Sequence, residues 1–509
     1  MARQWNSDLY VDGHWVGSDD LPPIQVIDPA TEDLIGTVPD ASPKLAIRAL
    51  EAARRAFDEG PWPWMKPAER AAALVRMAEY LESHAEELRE LIVAETGTTG
   101  FMTDMIQGFG AIGMLRSNAE QIQHGVEWFE PVGQPSGGPN GVNGQGLFRE
   151  PIGVVAAITP FNFPFMLNLV KSAPALAAGC TVVLKPHPWT PLDALMIAKA
   201  AEAADIPPGV FNVITGGGDV GDELTSNPMV DMVTFTGSTA TGRRIMASAS
   251  GTIKRVQLEL GGKSAHVILS DVPEDHVRSI GFGGVLTHCG QGCAIPTRLL
   301  MPEALMDAYR SGIEDAVAAV KIGDTRDPST TLGPLIREQQ RSRVAALVQS
   351  ARDEGAEVVT GGKQPSSQEK GFFYEPTVIV GDNSIRVAQE EIFGPVLTVI
   401  PYSGADSDAV RIANDSIYGL GGNVVGATTG HAFNVARQIR AGSLSVQGVA
   451  EAAQGELGSG NGQGPGWGST PKGIGQEGAF GGYKQSGLGR EWGRHGVEDF
   501  TEVKSISWS

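Results

Sequence analysis

Residues 152–185 read IGVVAAITPFNFPFMLNLVKSAPALAAGCTVVLK, and this stretch decides the fold. Val154–Thr159 is a short apolar run of strand length. A helical stretch follows near Lys171–Ala178, and Thr181–Lys185 is again β-branched. The rhythm continues outward. A helix over Leu192–Ala204 leads to a strand over Val210–Ile214. A short helix around Asp219–Leu224 leads to Met232–Thr236, and the next helix ends near Ser248. Strand starts at 154, 181, 210 and 232 lie 27, 29 and 22 residues apart. A parallel pair needs a crossover of that length, so the spacing predicts a parallel sheet covered by helices, an α/β fold.

Toward the N-terminus, residues 1–40 read as short extended pieces broken by turns. Ser42-Pro43 then opens a helix, with Ser as cap and Pro at the first helical position. Pro67 opens a second helix that runs to Gly97. Toward the C-terminus a second α/β rhythm covers 300–440. Helices over Ala304–Ala319 and Arg337–Glu354 alternate with strands at Glu357–Val359, Thr377–Val380 and Val396–Pro401, and a helix over Asp406–Asn414 follows. The last segment, Val497–Ser509, reads either as an edge strand that pairs with another subunit or as a plain tail.

Composition narrows the function classes. The chain has 509 residues and a net charge of −20, which disfavours nucleic acid and anionic lipid as partners. Its three cysteines, Cys180, Cys289 and Cys293, exclude a disulfide scaffold and a cysteine-built metal site. No signal segment or bilayer-length apolar run is present, so a soluble cytoplasmic protein without a membrane partner is expected. Glycine is in surplus, 66 residues, and 13 of these fall in 448–482. That region is a long loop without periodicity.

Four places carry chemistry. Cys293 lies in Gly290-Gln291-Gly292-Cys293-Ala294 and reads either as a buried structural thiol or as a nucleophile. The small residues around it expose the sulfur, which favours the nucleophile. Cys289 reads as a helical neighbour, a redox partner or filler, and Cys180 as packing. Glu259 sits among leucines before Gly261-Gly262. It is either salt-bridged to Lys263 or a buried general base with a raised pKa. The run 234–242, TFTGSTATG, joins a strand to a helix start, and with Lys185 at a neighbouring strand end it suits a phosphate and ribose. Asn162, between two prolines and two phenylalanines, is either an oxyanion donor or an Asn that satisfies its own turn.

The motifs occur in a fixed order: PFNFP (160–164), KP (185–186), FTGST (235–239), ELGGK (259–263), GQGC (290–293), EEIFGP (390–395) and FGGYKQSGLGRE (480–491). In this order, over essentially the whole chain, the sequence resembles the NAD(P)-dependent aldehyde dehydrogenase superfamily. The resemblance implies an α/β aldehyde dehydrogenase-like fold. It would have a Rossmann-like NAD(P)-binding domain (1–128 and 149–259), an α/β catalytic domain (260–447) and a small β oligomerisation extension (129–148 and 480–509). The Gly-rich loop 448–479 would lie near the substrate entrance. It implies Cys293 as nucleophile, Glu259 as base and Asn162 as oxyanion donor. Cofactor contacts would fall to Thr159, Phe161, Lys185, Gly237, Ser238, Gly242, Glu259, Leu260, Gly261, Glu391 and Phe393. Substrate would meet Phe163, Leu167, Val170, Gly292, Ala294 and Phe480.

It further implies NAD as cofactor, a small aldehyde as substrate and self-association as homodimer or homotetramer. No metal is expected. Presence of Glu259 favours the hydrolytic branch over acyl transfer to coenzyme A. Two departures stand out. Pro188 takes the place of a Glu that repels a 2′-phosphate, which leaves NADP open. The 33 residues from Gln447 to Ala479 replace a crossing of roughly a dozen. The lining favours an apolar, even bulky, aldehyde. A semialdehyde, held by Lys472, is the weaker reading, and a cofactor-independent thiol esterase is the alternative activity.

Overall fold

The strands Val154–Ile158, Thr181–Lys185 and Met232–Thr236 are buried along their whole length. In the computed structural model they lie at the centre of an eight-stranded sheet. The structure describes residues 4–17, 21–133, 136–138, 141–450 and 478–508. The central order is Phe211–Val213, Thr181–Lys185, Val154–Ile158, Met232–Thr236, Arg255–Glu259, all parallel. Chain order therefore reverses between the strands at 154 and 232, which makes a switch point at their carboxyl ends. The Leu9–Val11/His14–Val16 hairpin closes one edge and Gly487–Leu488 the other, both antiparallel to their neighbours.

The expected helices form, except that the one expected from Pro67 to Gly97 is two, Pro67–Ser83 and Ala85–Thr96, divided at His84. Ser42 caps Pro43–Asp58 by accepting a hydrogen bond from the Leu45 amide at 3.3 Å. The helix expected near Lys171 begins earlier, at Pro164, and ends at Ala178, with Gly179 as its left-handed cap. Pro164 sits in the first turn, where its missing N–H costs nothing, so the PFNFP stretch is a helix entry and not only a loop.

The second sheet has seven strands, ordered Glu357–Thr360, Thr377–Val380, Val396–Tyr402, Pro296–Pro302, Ser264–Ile268, Gly421–Gly426, Ser443–Gly448. All pair in parallel except the first. A small third sheet pairs Thr501–Trp508 with Gly141–Pro151, which also pairs with Phe129–Pro131.

The stretch 480–509 is therefore not one unit. Only Thr501–Trp508 joins the small sheet, after a short helix over Gly493–Glu498. Residues 487–488 pair with Leu258 and Glu259 in the first sheet. A Cβ at Gly487 would overlap the Leu258 carbonyl, so only glycine allows this approach. Most of the expected Gly-rich loop, including Lys472, lies outside the described residues. Among the described residues, no helix is long and apolar enough to cross a membrane. None of their His, Cys, Asp and Glu side chains group to hold a metal ion.

Candidate active site

The first and second sheets meet at the ELGGK turn. Glu259 ends one strand and Ser264 begins the next. A Cβ on Gly262 would overlap the Cys293 carbonyl, so this glycine lets the thiol loop lie against the base strand. Cys293 is partly exposed and packs with Ala294, Leu420, Phe480 and Trp492. Loss of water pushes its thiol pKa up, and Glu391, Glu259 and Glu491 push it further. The resting sulfur is protonated at neutral pH, so the site must supply a base.

Glu259 is 1% exposed, and neither carboxylate oxygen makes a well-formed hydrogen bond. Burial first and then Glu491 hold its pKa well above the usual carboxylate range. Lys171, Arg490 and the Gly482 amide oppose the rise. The alternative partner Lys263 forms no ion pair with it. The Lys263 ammonium is buried without a hydrogen bond, and burial lowers its pKa to about 7. The geometry thus favours the general-base reading over the salt bridge.

Asn162 is buried and its Nδ2 donates to the Gln291 carbonyl at 2.8 Å. One amide hydrogen thus ties it to the thiol loop, and the second remains to be donated. Phe163 packs near Gly292, 3.6 Å from the position of a Cβ there, and its ring lies 5.1 Å from His288. Phe480 stacks on Trp492 at 4.7 Å. Leu167 and Val170 are buried on the Pro164–Ala178 helix. Cys289 is buried in a left-handed conformation, φ 55°, and Cys180 is buried with its Sγ 3.4 Å from the Phe500 carbonyl.

The expected cofactor residues gather at the switch point. Ser238 caps Thr239–Ala249, accepting from the Thr241 amide at 3.2 Å. The Gly237 amide donates to the Glu259 carbonyl at 3.0 Å, and Gly242 packs closely on Leu260. The Thr159 hydroxyl is spent inward, on Asn168 at 2.6 Å. Phe161 contacts His187, Trp189 and Phe393, with centroids 5.2, 5.1 and 5.7 Å away. Glu391 accepts from the Gly262 amide at 2.9 Å, beside Gly261, and burial raises its pKa to about 7. Lys185 is buried at its strand end. Thr236 Oγ1 is buried there without a partner, and the space over Gly218 and Gly221 is open. An orphaned hydroxyl, a helix start at the switch point and open glycines fit a dinucleotide.

Three residues escaped the sequence reading. Lys171 and Glu491 form a buried ion pair, Nζ to Oε1 2.5 Å, beside Glu259, and Arg490 adds its charge. The signal was a lone lysine in an otherwise uncharged helix, which demands a buried counter-charge.

A partly exposed thiol and a buried carboxyl without a well-formed hydrogen bond lie at the seam of two mostly parallel sheets, an arrangement that suits covalent thiol catalysis in an α/β protein. Comparison with known proteins gives the family. The aldehyde dehydrogenase family model matches residues 15–468 and 462–506. A betaine aldehyde dehydrogenase of Bacillus subtilis is 36% identical over 98% of this chain and 96% of its own. The crystal structure of a Mycobacterium tuberculosis aldehyde dehydrogenase complexed with NAD+ has a TM-score of 0.89 and 38% identity, covering 99% of this chain and 98% of its own. A mutant of Pseudomonas syringae aldehyde dehydrogenase C, complexed with NAD+ and octanal, has a TM-score of 0.89 and 36% identity over 99% and 98%. The chain belongs to the aldehyde dehydrogenase family, and it is an aldehyde-oxidising enzyme.

Proposed function

We propose that the chain oxidises an apolar aldehyde to its carboxylic acid with NAD+, through a covalent adduct on Cys293. The observation that carries this reading is the buried, unpartnered Glu259 carboxyl beside the partly exposed thiol. Glu259 takes the thiol proton and releases it to solvent, and the sulfur attacks the aldehyde carbon, which leaves Glu259 ionised for the later hydrolysis. The oxyanion so formed receives hydrogen bonds from Asn162 Nδ2 and the Cys293 amide. Such a donor is worth ~10²–10³ in rate. When bound, the nicotinamide cofactor accepts the hydride. Its adenosine ribose would be held by Lys185, its pyrophosphate by Gly237, Ser238 and Gly242, and its nicotinamide end by Glu391 and Phe393. The Cys293 thioester is then hydrolysed by water that Glu259 deprotonates, aided by the charges of Lys171 and Arg490.

Phe163, Gly292, Ala294 and Phe480 shape an apolar mouth, with Leu167 and Val170 behind it. The octanal complex of the Pseudomonas syringae relative supports an apolar substrate. In this reading the cofactor and catalytic domains keep their expected bounds, and Phe480–Leu488 belongs beside the active site instead of in the oligomerisation extension. Self-association runs through the Thr501–Trp508 edge, whose Val503, Ile506 and Trp508 are exposed. Three unpaired cysteines support a reducing, cytoplasmic setting. The test is Cys293→Ala: aldehyde oxidation is abolished while NAD+ still binds. Retained turnover would place the nucleophile elsewhere.

A further inference from the structure

Pro188 leaves the adenosine end without the carboxylate that its strand-end loop would otherwise carry. Two other segments bring acid to the same corner. The Ile214 amide donates to the Leu184 carbonyl at 3.0 Å, so Thr215 emerges beside Lys185. Thr215 Oγ1 then donates to the Pro39 carbonyl at 2.5 Å. A Cβ on Gly216 would come within 3.2 Å of the Ala41 carbonyl. Residues 39–41 and 215–221 therefore run together past the end of the Lys185 strand. Asp40 lies on the first segment. Asp219 lies on the second, in the first turn of Gly218–Ser226, over which the space is open. Burial lowers the Lys185 pKa to about 8, and Asp219 and Asp40 oppose the fall, so both carboxylates bear on its ammonium.

We propose that Asp219 and Asp40 form an anionic wall at the adenosine ribose and select NAD+ over NADP+. This rests on the cofactor reading above. A 2′-phosphate carries about −1.5 to −2 at neutral pH, where a ribose hydroxyl carries nothing. Two cations lie nearby, Lys185 and Arg337. Lys185 is a single charge. Arg337 is committed to the Ile27 and Ile336 carbonyls, at 3.0 and 3.1 Å, with its guanidinium 6.0 Å from the Trp189 ring. His187 is neutral, its pKa pushed down to about 3 by burial and by those two cations. A carboxylate within several ångströms of a 2′-phosphate disfavours its binding by about 10- to 100-fold.

The test is calorimetric titration of the full chain with NAD+ and with NADP+, without aldehyde. NADP+ is expected to bind at least about tenfold more weakly. In Asp40→Asn/Asp219→Asn the ratio of the two Kd values shrinks by about tenfold. Raising salt narrows the wild-type ratio by screening, an arm that needs no folded variant. Equal wild-type affinities, a salt-independent ratio, or a ratio unchanged in the folded variant would each overturn the wall. Failure of both dinucleotides to bind would overturn the cofactor reading instead.

Discussion

Replacing Lys171 by Met removes one half of a buried ion pair and keeps the volume. Lys171 is 0% and Glu491 3% exposed at the side chain, and their charges lie 2.5 Å apart. Removing one partner leaves the other buried without a counter-charge, at a cost of about 3–5 kcal/mol. Unfolding entropy is ~2.1 cal/mol/K per residue, on the order of 1 kcal/mol/K for this chain, so the melting midpoint falls by only ~3–5 °C. The variant remains folded at 25 °C, and its chemistry can be read. Lys171 is the largest influence that holds the Glu259 pKa down, against burial and Glu491. Without it the Glu259 pKa rises further, because an opposite charge no longer favours the ionised carboxylate.

In the proposed role Glu259 acts as a base, and a carboxyl does so only when ionised. A higher pKa moves its ionised fraction to higher pH, so the rising limb of rate against pH shifts alkaline. For every pH unit the limb moves, the rate below it falls about tenfold. The assay is the steady-state rate of aldehyde oxidation over the pH range in which the enzyme is folded, with a thermal melt at each pH. Lys171→Arg restores a charge and returns the limb part of the way. A limb that stays in place while the melting midpoint falls would refute the electrostatic account and leave Lys171 a purely structural residue.

Glu259→Gln keeps the shape and removes the base, so acid release slows by ~10²–10⁴. Intact mass then detects an acyl group on Cys293, and an unchanged steady-state rate would remove Glu259 from this role. His431 is held between Asp406 and Asp271, at 2.8 and 2.7 Å, which raises its pKa above the usual 6.5. A raised histidine stabilises fully below its ordinary pKa, and that contribution is lost as pH rises through the folded value. His431→Gln should therefore lower the melting midpoint near pH 6 more than near pH 9, and equal losses at both would contradict the linkage. Gly487→Ala forces a Cβ into the Leu258 carbonyl at φ 148°, and costs ~1–3 kcal/mol with loss of activity, because residue 487 pairs with Glu259. A melt and rate equal to wild type would show that the edge pairing can give way.

The parallel sheet was legible because parallel strands demand crossovers, and the spacing from Val154 to Met232 records them. Cys293, Glu259 and Asn162 stand out in the sequence as candidates for a similar reason. Each sits where local chemistry conflicts with a plain structural role: a thiol between glycines, a carboxyl among leucines, an amide between prolines. Lys171 with Glu491 was not legible as a pair, because its halves lie far apart in the chain and no local period links them. The Pro164 helix start was obscured because proline marks both a loop and a first helical turn. The split of 480–509 was hidden because the pairing of Gly487 with Glu259 is a long-range approach that a local pattern does not encode.

The geometry of the thiol and the base depends on a segment that contributes neither. Ser486 is fully buried. Its hydroxyl donates to the Gly261 carbonyl at 2.7 Å and accepts from the Gly419 amide at 3.0 Å. The Leu260 amide donates to the Ser486 carbonyl at 2.8 Å, and the Tyr483 amide to the Gly419 carbonyl at 2.8 Å. Gly261 continues the base strand, and Leu420, next to Gly419, packs against Cys293. One hydroxyl therefore ties the base strand, the loop behind the thiol and the C-terminal segment. Each buried polar group left orphaned would cost about 1–3 kcal/mol, so the three segments hold one register together. That coupling fixes the strand that carries Glu259 relative to the loop that packs behind Cys293, and so sets the spacing of the two groups without touching either.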